Sequence, residues 1–314
     1  METLENKVAI IIVNWNSYND TIECLKSLND IKEVNFKVFL VDNNSTDKSM
    51  DEIISYYDNY SFNYDIEFIC NKENLGFAGG NNVGIRKAYN DNCKFFWLLN
   101  NDTVVDEKAL VNLINTFKNE DIGIVGSKIL YYDSNKIWFA GGLINEYIGR
   151  TSHIGIKEDD LGQYDYQKEV DYISGCSLCF TREMLDKVGY MLEDYFLYFE
   201  ETDWNLRAKK CGFKIIYVPD SIVYHKVSYS SGGMNNIKPY VPYYELRNSI
   251  AMIKRTQNNT RFLLTIVYAV FLLLKIHAKI FIRYRNNYRV RSKYAFKGII
   301  DGIKLKMGKH PELI

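Results

Sequence analysis

The stretch DYFLYFEETDWNLRAKKCG places Glu200, Glu201 and Asp203 within four residues, behind a run of aromatic side chains. Burial and like-charged neighbours raise a carboxylate pKa, which suits a general base. The same residues also read as an acidic helix start favoured by the dipole, with Asp203 and Arg207 paired one turn apart. Another carboxylate, Asp102, stands in FFWLLNNDTVVD (residues 95–106), where an apolar run stops at two amides and an acid. Asn101 and Asp102 either close a turn and cap the next helix, or hold a charged ligand at the rim of a sheet. In the second case Asp102 would bind Mg²⁺ or Mn²⁺, which prefer oxygen ligands and commonly bridge carboxylates to phosphate oxygens. His225, in SIVYHKVSYSSGG, ends a strand-like run and offers a further metal ligand through a neutral imidazole. The glycines of NLGFAGGNNVG could cradle a phosphate, but their spacing fits neither the P-loop nor the dinucleotide fingerprint.

Bringing these groups together requires strands that end on one side. KVAIIIVNWN, FKVFLVDNNSTD, IEFIC and FFWLLNND read as strands, and helical spacing follows each of them. The alternation predicts an α/β fold, Rossmann-like, with a mainly parallel sheet and helices on both faces. Ligands in such sheets bind beyond the carboxyl ends of the strands. Asn14, Asp42, Asn74 and residues 100–102 all fall at or just past predicted strand ends. Further on, FAGGLIN suggests a hairpin, EDDLGQYDYQKE a solvated loop, and VDYISGCSLCF a strand. REMLDKVG is a short helix closed by Gly189, and FKIIYVPDSIVYH reads as paired strands.

The 314 residues hold one large domain, or one domain with an appended segment. The 39 basic and 39 acidic residues cancel overall but are unevenly spread. Residues 247–314 carry 15 Lys/Arg and 2 Asp/Glu, a net +13, which leaves 24 minus 37, or −13, in residues 1–246. The expected division is therefore a catalytic domain over 1–246 and a basic helical segment over 247–314. Within that segment the uncharged run 262–274 is shorter than the roughly 20 residues a spanning helix needs. It predicts a helix lying in the membrane interface, with Lys275, Lys279, Arg283, Arg285, Arg289, Arg291 and Lys293 toward anionic head groups. The other reading is a helical cap or homodimer element. No nucleic-acid partner is expected. Six cysteines lack metal-site spacing, and the lone Cys176/Cys179 pair reads as core thiols in a reducing cytosol. The polar start 1–7 and the short apolar run 8–13 fit no signal peptide, so the expected location is cytoplasmic, peripheral on the inner face of the membrane.

In their order these stretches resemble the inverting family 2 glycosyltransferases, especially the bacterial rhamnosyltransferase-like branch that builds surface polysaccharides. The matching stretches are VAIIIVNWNSYNDTIECLKSL, VDNNSTDKS, NLGFAGGNNVGI, LLNNDTVV, ISGCSLCFTREMLDKVGY, FLYFEETDWNLRAKKCGFKIIYVPDSIVYH and YYELRN, over residues 8–248. The resemblance implies a GT-A fold, a divalent cation and a nucleotide-sugar donor, dTDP-rhamnose first and a UDP-hexose next. It implies a glycan or lipid-linked glycan acceptor. It sets Val13, Asn14 and Asp42 against the nucleoside, and Asn74, Gly80 and Asn81 in the loop passing the nucleotide and diphosphate. Asn101 and Asp102 match the end of the family's DXD motif, and His225 a histidine that often completes the metal site. Glu201 matches the base, with Glu200 or Asp203 as stand-ins if its arm does not reach. Two positions depart from the family: Asn100 replaces the first Asp of DXD, and Glu200-Glu201 replaces Glu-Asp. The competing class is a catalytically weak scaffold of a membrane glycan-assembly complex. A nucleotidyltransferase would carry a glycine-rich, basic triphosphate loop after the first strand, and VNWNSYND has neither feature.

Overall fold

The computed structural model describes residues 7–227, 238, 240–283 and 286–313, with side chains described outside 279–287. The Gly/Ser run after His225, residue Arg285 and the side chains of Lys279 and Arg283 lie outside the described residues. Strands β1 (Val8–Asn14), β2 (Phe36–Asp42), β3 (Asp65–Cys70) and β4 (Phe95–Leu99) alternate with helices α1 (Tyr18–Leu28), α2 (Ser49–Asn59) and α3 (Gly76–Asn90). Then come β5 (Thr103–Val105), α4 (Ala109–Thr116), β6 (Ile122–Tyr131), β7 (Ile137–Phe139), β8 (Gly142–Asn145), β9 (Arg150–His153) and β10 (Lys168–Glu169). Strand β11 (Ser177–Thr181), α5 (Arg182–Val188), a 3₁₀ turn (Glu193–Tyr195), α6 (Glu200–Lys210) and β12 (Lys214–His225) follow. Three helices close the chain: α7 (Tyr240–Thr256), α8 (Asn259–Arg283) and α9 (Asn286–Ile303).

The main sheet runs β10-β12-β6-β11-β4-β1-β2-β3, with β5 paired to β12 and β7 to β6. Strands β3, β2, β1 and β4 are mutually parallel, as the alternation predicts. The sheet then reverses: β11 runs antiparallel to both β4 and β6. Strands buried on both faces read as apolar runs whichever way they point, so direction is not encoded in the pattern. Helix α3 comes close to β1 because Gly84 has no side chain; a Cβ there would sit 2.6 Å from Ile11 Cγ2.

Two local expectations change. FKIIYVPDSIVYH is one strand, parallel to β6, with a register break between Val218 and Ile222. Pro219 offers no N–H to the ladder, so the chain bulges there without reversing. The hairpin is β8–β9, while β7 pairs back to β6. Beneath the bulge a buried polar chain ties four strands together: Trp97 Nε1 donates to Ser177 Oγ (2.9 Å), which contacts Ser127 Oγ (2.7 Å), which contacts Ser221 Oγ (2.7 Å). Such a network is satisfied in only one alignment of β4, β11, β6 and β12.

The division expected at 246/247 falls inside α7. That helix faces two ways. Ala251, Met252 and Ile253 pack with Tyr195 and Leu206, while Leu246 and Ile250 pack with Ala269, Ala295 and Ile299 of α8 and α9.

Candidate active site

The carboxyl ends of β1, β2 and β4 form one rim of the sheet. Asn14 and Asp42 stand opposite each other there, and Asn14 Nδ2 donates to Asp42 Oδ1 (2.9 Å). Ser45 donates to Asp42 through both its N–H (2.9 Å) and its hydroxyl (2.6 Å), and Thr21 Oγ1 donates to Asn14 Oδ1 (2.8 Å). Both residues are buried. Asn14 therefore aims Asp42, and Asp42 is the charged group of this corner. Trp15, next along the chain, is exposed at the rim.

Asn43, absent from the candidates read in the sequence, is the hub of the neighbouring loop. Its buried amide donates to Asn74 Oδ1 (3.1 Å) and Gly76 O (3.0 Å), and its oxygen accepts from Asn71 Nδ2 (3.0 Å) and Leu75 N (3.1 Å). Asn74 in turn accepts from Gly76 N (2.9 Å). The glycine-rich stretch is helical from Gly76 onward. Gly80 lies inside α3, where a Cβ would come 3.0 Å from Val13 Cγ1 and 3.3 Å from Asn43 Nδ2. Asn81 is buried and bonds Phe77 O of its own helix (2.9 Å). Gly80, Asn81 and Val13 are thus packed at the seam of α3 and β1.

After β4 the turn through 100–102 leads into β5 rather than capping a helix. Asn101 Nδ2 donates to Thr21 Oγ1 (2.9 Å). Pairing of β5 with β12 sets Thr103 opposite His225, and Asp102 Oδ1 lies 3.2 Å from His225 Nε2. Trp138 stacks edge-on against the His225 ring, with centroids 4.6 Å apart. Burial opposes protonation of His225, but the Cys176 thiol and the Asp102 carboxylate beside it outweigh that and raise its pKa. Burial also pushes up the Cys176 thiol, with His225 beside it acting in the opposite sense.

The pair suits a small divalent cation. Two adjacent ligand atoms around such an ion, each about 2.1 Å from it, stand roughly 3 Å apart. The carboxylate oxygen suits Mg²⁺ or Mn²⁺, and the imidazole nitrogen suits first-row divalent ions such as Zn²⁺. His225 Nδ1 is buried without a hydrogen-bond partner. No cluster of three or more His, Cys, Asp or Glu occurs among the described residues, so further ligands would come from phosphate oxygens and water.

Of the three acidic candidates, Asp203 is turned inward: its carboxylate accepts from Arg207 Nε (2.8 Å) and Tyr195 OH (3.2 Å). Glu200 is buried, its Oε2 has no partner, and burial with the neighbouring Glu201 charge holds its pKa well above the usual range. Glu201 is half-buried and faces Gly175, where a Cβ would lie 3.8 Å from its own. Burial raises the Glu201 pKa, and the N–H groups of Glu201, Gly175 and Thr202 offset this in part. The next residue, Cys176, touches His225, and its carbonyl accepts from Asn100 N (3.0 Å). Consecutive residues 175 and 176 therefore bridge Glu201 and the Asp102–His225 pair.

A sequence profile described as glycosyl transferase family 2 matches residues 9–189, more than half of the chain. The chain belongs to glycosyl transferase family 2. This glycosyltransferase is 25% identical over 306 residues to the dTDP-rhamnosyl transferase RfbF of Shigella flexneri, spanning 96% of this chain and 97% of that one. It is 25% identical over 213 residues to the low-salt glycan biosynthesis hexosyltransferase Agl10 of Haloferax volcanii, spanning 67% of this chain and 64% of that one. Among solved structures, the mannosyltransferase PcManGT from Pyrobaculum calidifontis, in complex with GDP-Man and Mn²⁺, aligns with a TM-score of 0.59. That match covers 95% of this chain and 87% of the other at 13% identity, a likeness that establishes the GT-A fold alone.

The Asn43 hub yields a test within the glycosyltransferase itself. Asn43→Ala leaves several buried or half-buried polar partners unsatisfied and should destabilise the protein by about 1–3 kcal/mol. Amide hydrogen exchange over 71–76 should accelerate more than exchange in β1 and β2. Equal protection in mutant and wild type would show that the loop holds its shape without Asn43.

Proposed function

We propose that this enzyme is an inverting transferase that moves a sugar from a nucleotide-sugar donor to a glycan or lipid-linked glycan acceptor. The observation that carries the proposal is that Glu201 and the Asp102–His225 pair flank consecutive residues, Gly175 and Cys176. One displacement follows from that arrangement. Glu201 takes the proton from the acceptor hydroxyl as its oxygen bonds to the anomeric carbon, and the bond to the diphosphate breaks with its electron pair leaving on phosphate. Asp102 and His225 would hold Mg²⁺ or Mn²⁺, which neutralises charge on the departing diphosphate. Asp42, aimed by Asn14, would bind the nucleoside, and Trp15 offers a stacking face to the base. The donor favoured is dTDP-rhamnose, because the match to RfbF runs through nearly the whole of both chains.

The second part of the proposal concerns the membrane. Helix α8 is apolar on two faces. One packs against α7 and α9; the other leaves Leu263, Leu264, Val267, Val270, Phe271 and Leu274 exposed. Residues Asn259–Ala278 form a helix long and apolar enough to span a bilayer, longer than the uncharged run alone suggested. Packing of its inner face against α7 and α9 favours a helix lying along the leaflet. Exposed basic residues nearby, Lys275 of α8 and Arg289 and Lys293 of α9, each contribute about 1 kcal/mol near anionic lipid; Arg291, expected among them, instead has its Nε buried. The enzyme would thus work at the cytoplasmic face of the membrane.

Three outcomes test this reading. Calorimetry should find that dTDP binding depends on Mn²⁺ in the wild type, loses that dependence in Asp102→Ala and weakens in His225→Ala; retained metal dependence in Asp102→Ala would sink the assignment. Glu201→Gln should lower turnover by roughly 10²–10⁴-fold with dTDP affinity unchanged. Because the base must be ionised and its pKa is raised, wild-type kcat should fall with decreasing pH through a midpoint above the ordinary carboxylate value; full turnover in Glu201→Gln would remove Glu201 from the mechanism. The full chain should sediment with anionic vesicles, and the triple variant Leu263→Ser, Val267→Ser, Leu274→Ser should stay in solution with unchanged melting. Failure of the wild type to bind vesicles, with dimerisation in analytical centrifugation, would assign the exposed face to a second copy instead.

A further inference from the structure

The segment leading into the Glu200–Glu201 pair is strained. Phe196, Tyr198 and Phe199 have φ values of 66°, 68° and 72°, the left-handed region, and none is a glycine. In this region the Cβ crowds the following carbonyl oxygen. Strain of this kind persists only where surrounding structure over-determines the backbone.

Most of what holds this segment comes from α7, some fifty residues later in the chain. The Asn248 side-chain amide donates to three carbonyls in succession: Tyr195 O (3.2 Å), Leu197 O (2.7 Å) and Tyr198 O (2.8 Å). Arg247 is fully buried and shows no ion pair to a carboxylate among the described residues. Its guanidinium donates to Tyr195 O (2.6 Å), Gly308 O (2.6 Å) and Asn248 Oδ1 (2.7 Å), and lies over the Tyr243 and Tyr244 rings. Arg247 thus orients Asn248 while gripping the same carbonyl. Burying a cation is costly, and these three charge-assisted hydrogen bonds offset that cost. On the opposite side, Phe196 O accepts from Phe77 N (3.0 Å) and sits where a Cβ on Gly76 would be 2.2 Å away.

We propose that Arg247 and Asn248 are positioning residues for the catalytic base: they fix the left-handed backbone of 196–199, and through it the first turn of α6, so that Glu201 faces Gly175. The proposal rests on Glu201 being the base. Both residues belong to the YYELRN stretch, so α7 serves as a scaffold for the entry to α6.

The test combines exchange with a mutant cycle. In Asn248→Ala, amide hydrogen exchange over 196–202 should accelerate while β1, β2 and β4 keep their protection. Turnover of dTDP-rhamnose, or of whichever nucleotide sugar a hydrolysis screen finds the enzyme to use, should fall roughly 10–100-fold, in line with a misplacement of about 1 Å. Mn²⁺-dependent dTDP affinity should stay within about twofold. The double variant Asn248→Ala, Glu201→Gln should be no slower than Glu201→Gln alone, because a positioning residue has nothing to position once the base is gone. Arg247→Lys, which keeps the charge but loses the fork, should show a smaller loss of the same kind, and it carries the cycle if Asn248→Ala does not fold. Unchanged exchange over 196–202, unchanged turnover, or a double variant whose losses multiply would each overturn the proposal. Full turnover in Glu201→Gln alone would instead strike the base assignment, and the exchange result would still decide whether Asn248 holds the segment.

Discussion

The site depends on one strand pairing. Strand β5 is only three residues long, yet its antiparallel register with β12 brings Asp102 against His225. Side chains alternate faces along a strand, so a slip of one residue would turn His225 to the opposite face. The Trp97–Ser177–Ser127–Ser221 chain fixes β12 itself against β6, β11 and β4, since its hydroxyls find partners in only one alignment. The register of β5 is guarded by Lys226 N, which donates to Asp102 O (3.0 Å). The bulge at Pro219 lets a single strand pass β6 in two registers and still deliver its last residue to the rim.

At that rim, many of the polar groups serve one another. Asn14 holds Asp42, Asn43 holds Asn74, and Thr21 links Asn14 to Asn101. This follows from burial: amides and hydroxyls shielded from water must find partners. The charged groups among them are Asp42 and Asp102. Pre-arranged charges supported by neutral side chains avoid reorganisation during reaction.

Much of this arrangement was legible in the sequence. Apolar runs ending in Asn or Asp located β1, β2 and β4 and the rim beyond them, because buried parallel strands have that signature. The acidic start of α6 was legible too, although the choice among Glu200, Glu201 and Asp203 was not, since it turns on which way each side chain points. Asp203 is taken by Arg207, a pairing one turn away that the spacing did reveal. Asn43 escaped notice because it follows Asp42 and reads as a second turn residue; its four bonds reach residues 28 to 33 positions away. The glycines of α3 read two ways, because close helix–sheet contact and phosphate binding both call for a missing side chain. Strand direction at β11 and the double duty of α7 were invisible, because both depend on contacts distant in sequence.

The left-handed residues before α6 have a consequence for how the chain reaches its working form. Phe196, Tyr198 and Phe199 cannot keep these torsions on local preference, and the carbonyls that Asn248 grips lie 50 to 53 residues before it. Before α7 docks, nothing local favours these torsions, and the turn into α6 relaxes toward ordinary ones. Forming the sheet and fixing the entry to α6 are therefore separate events in the life of each molecule.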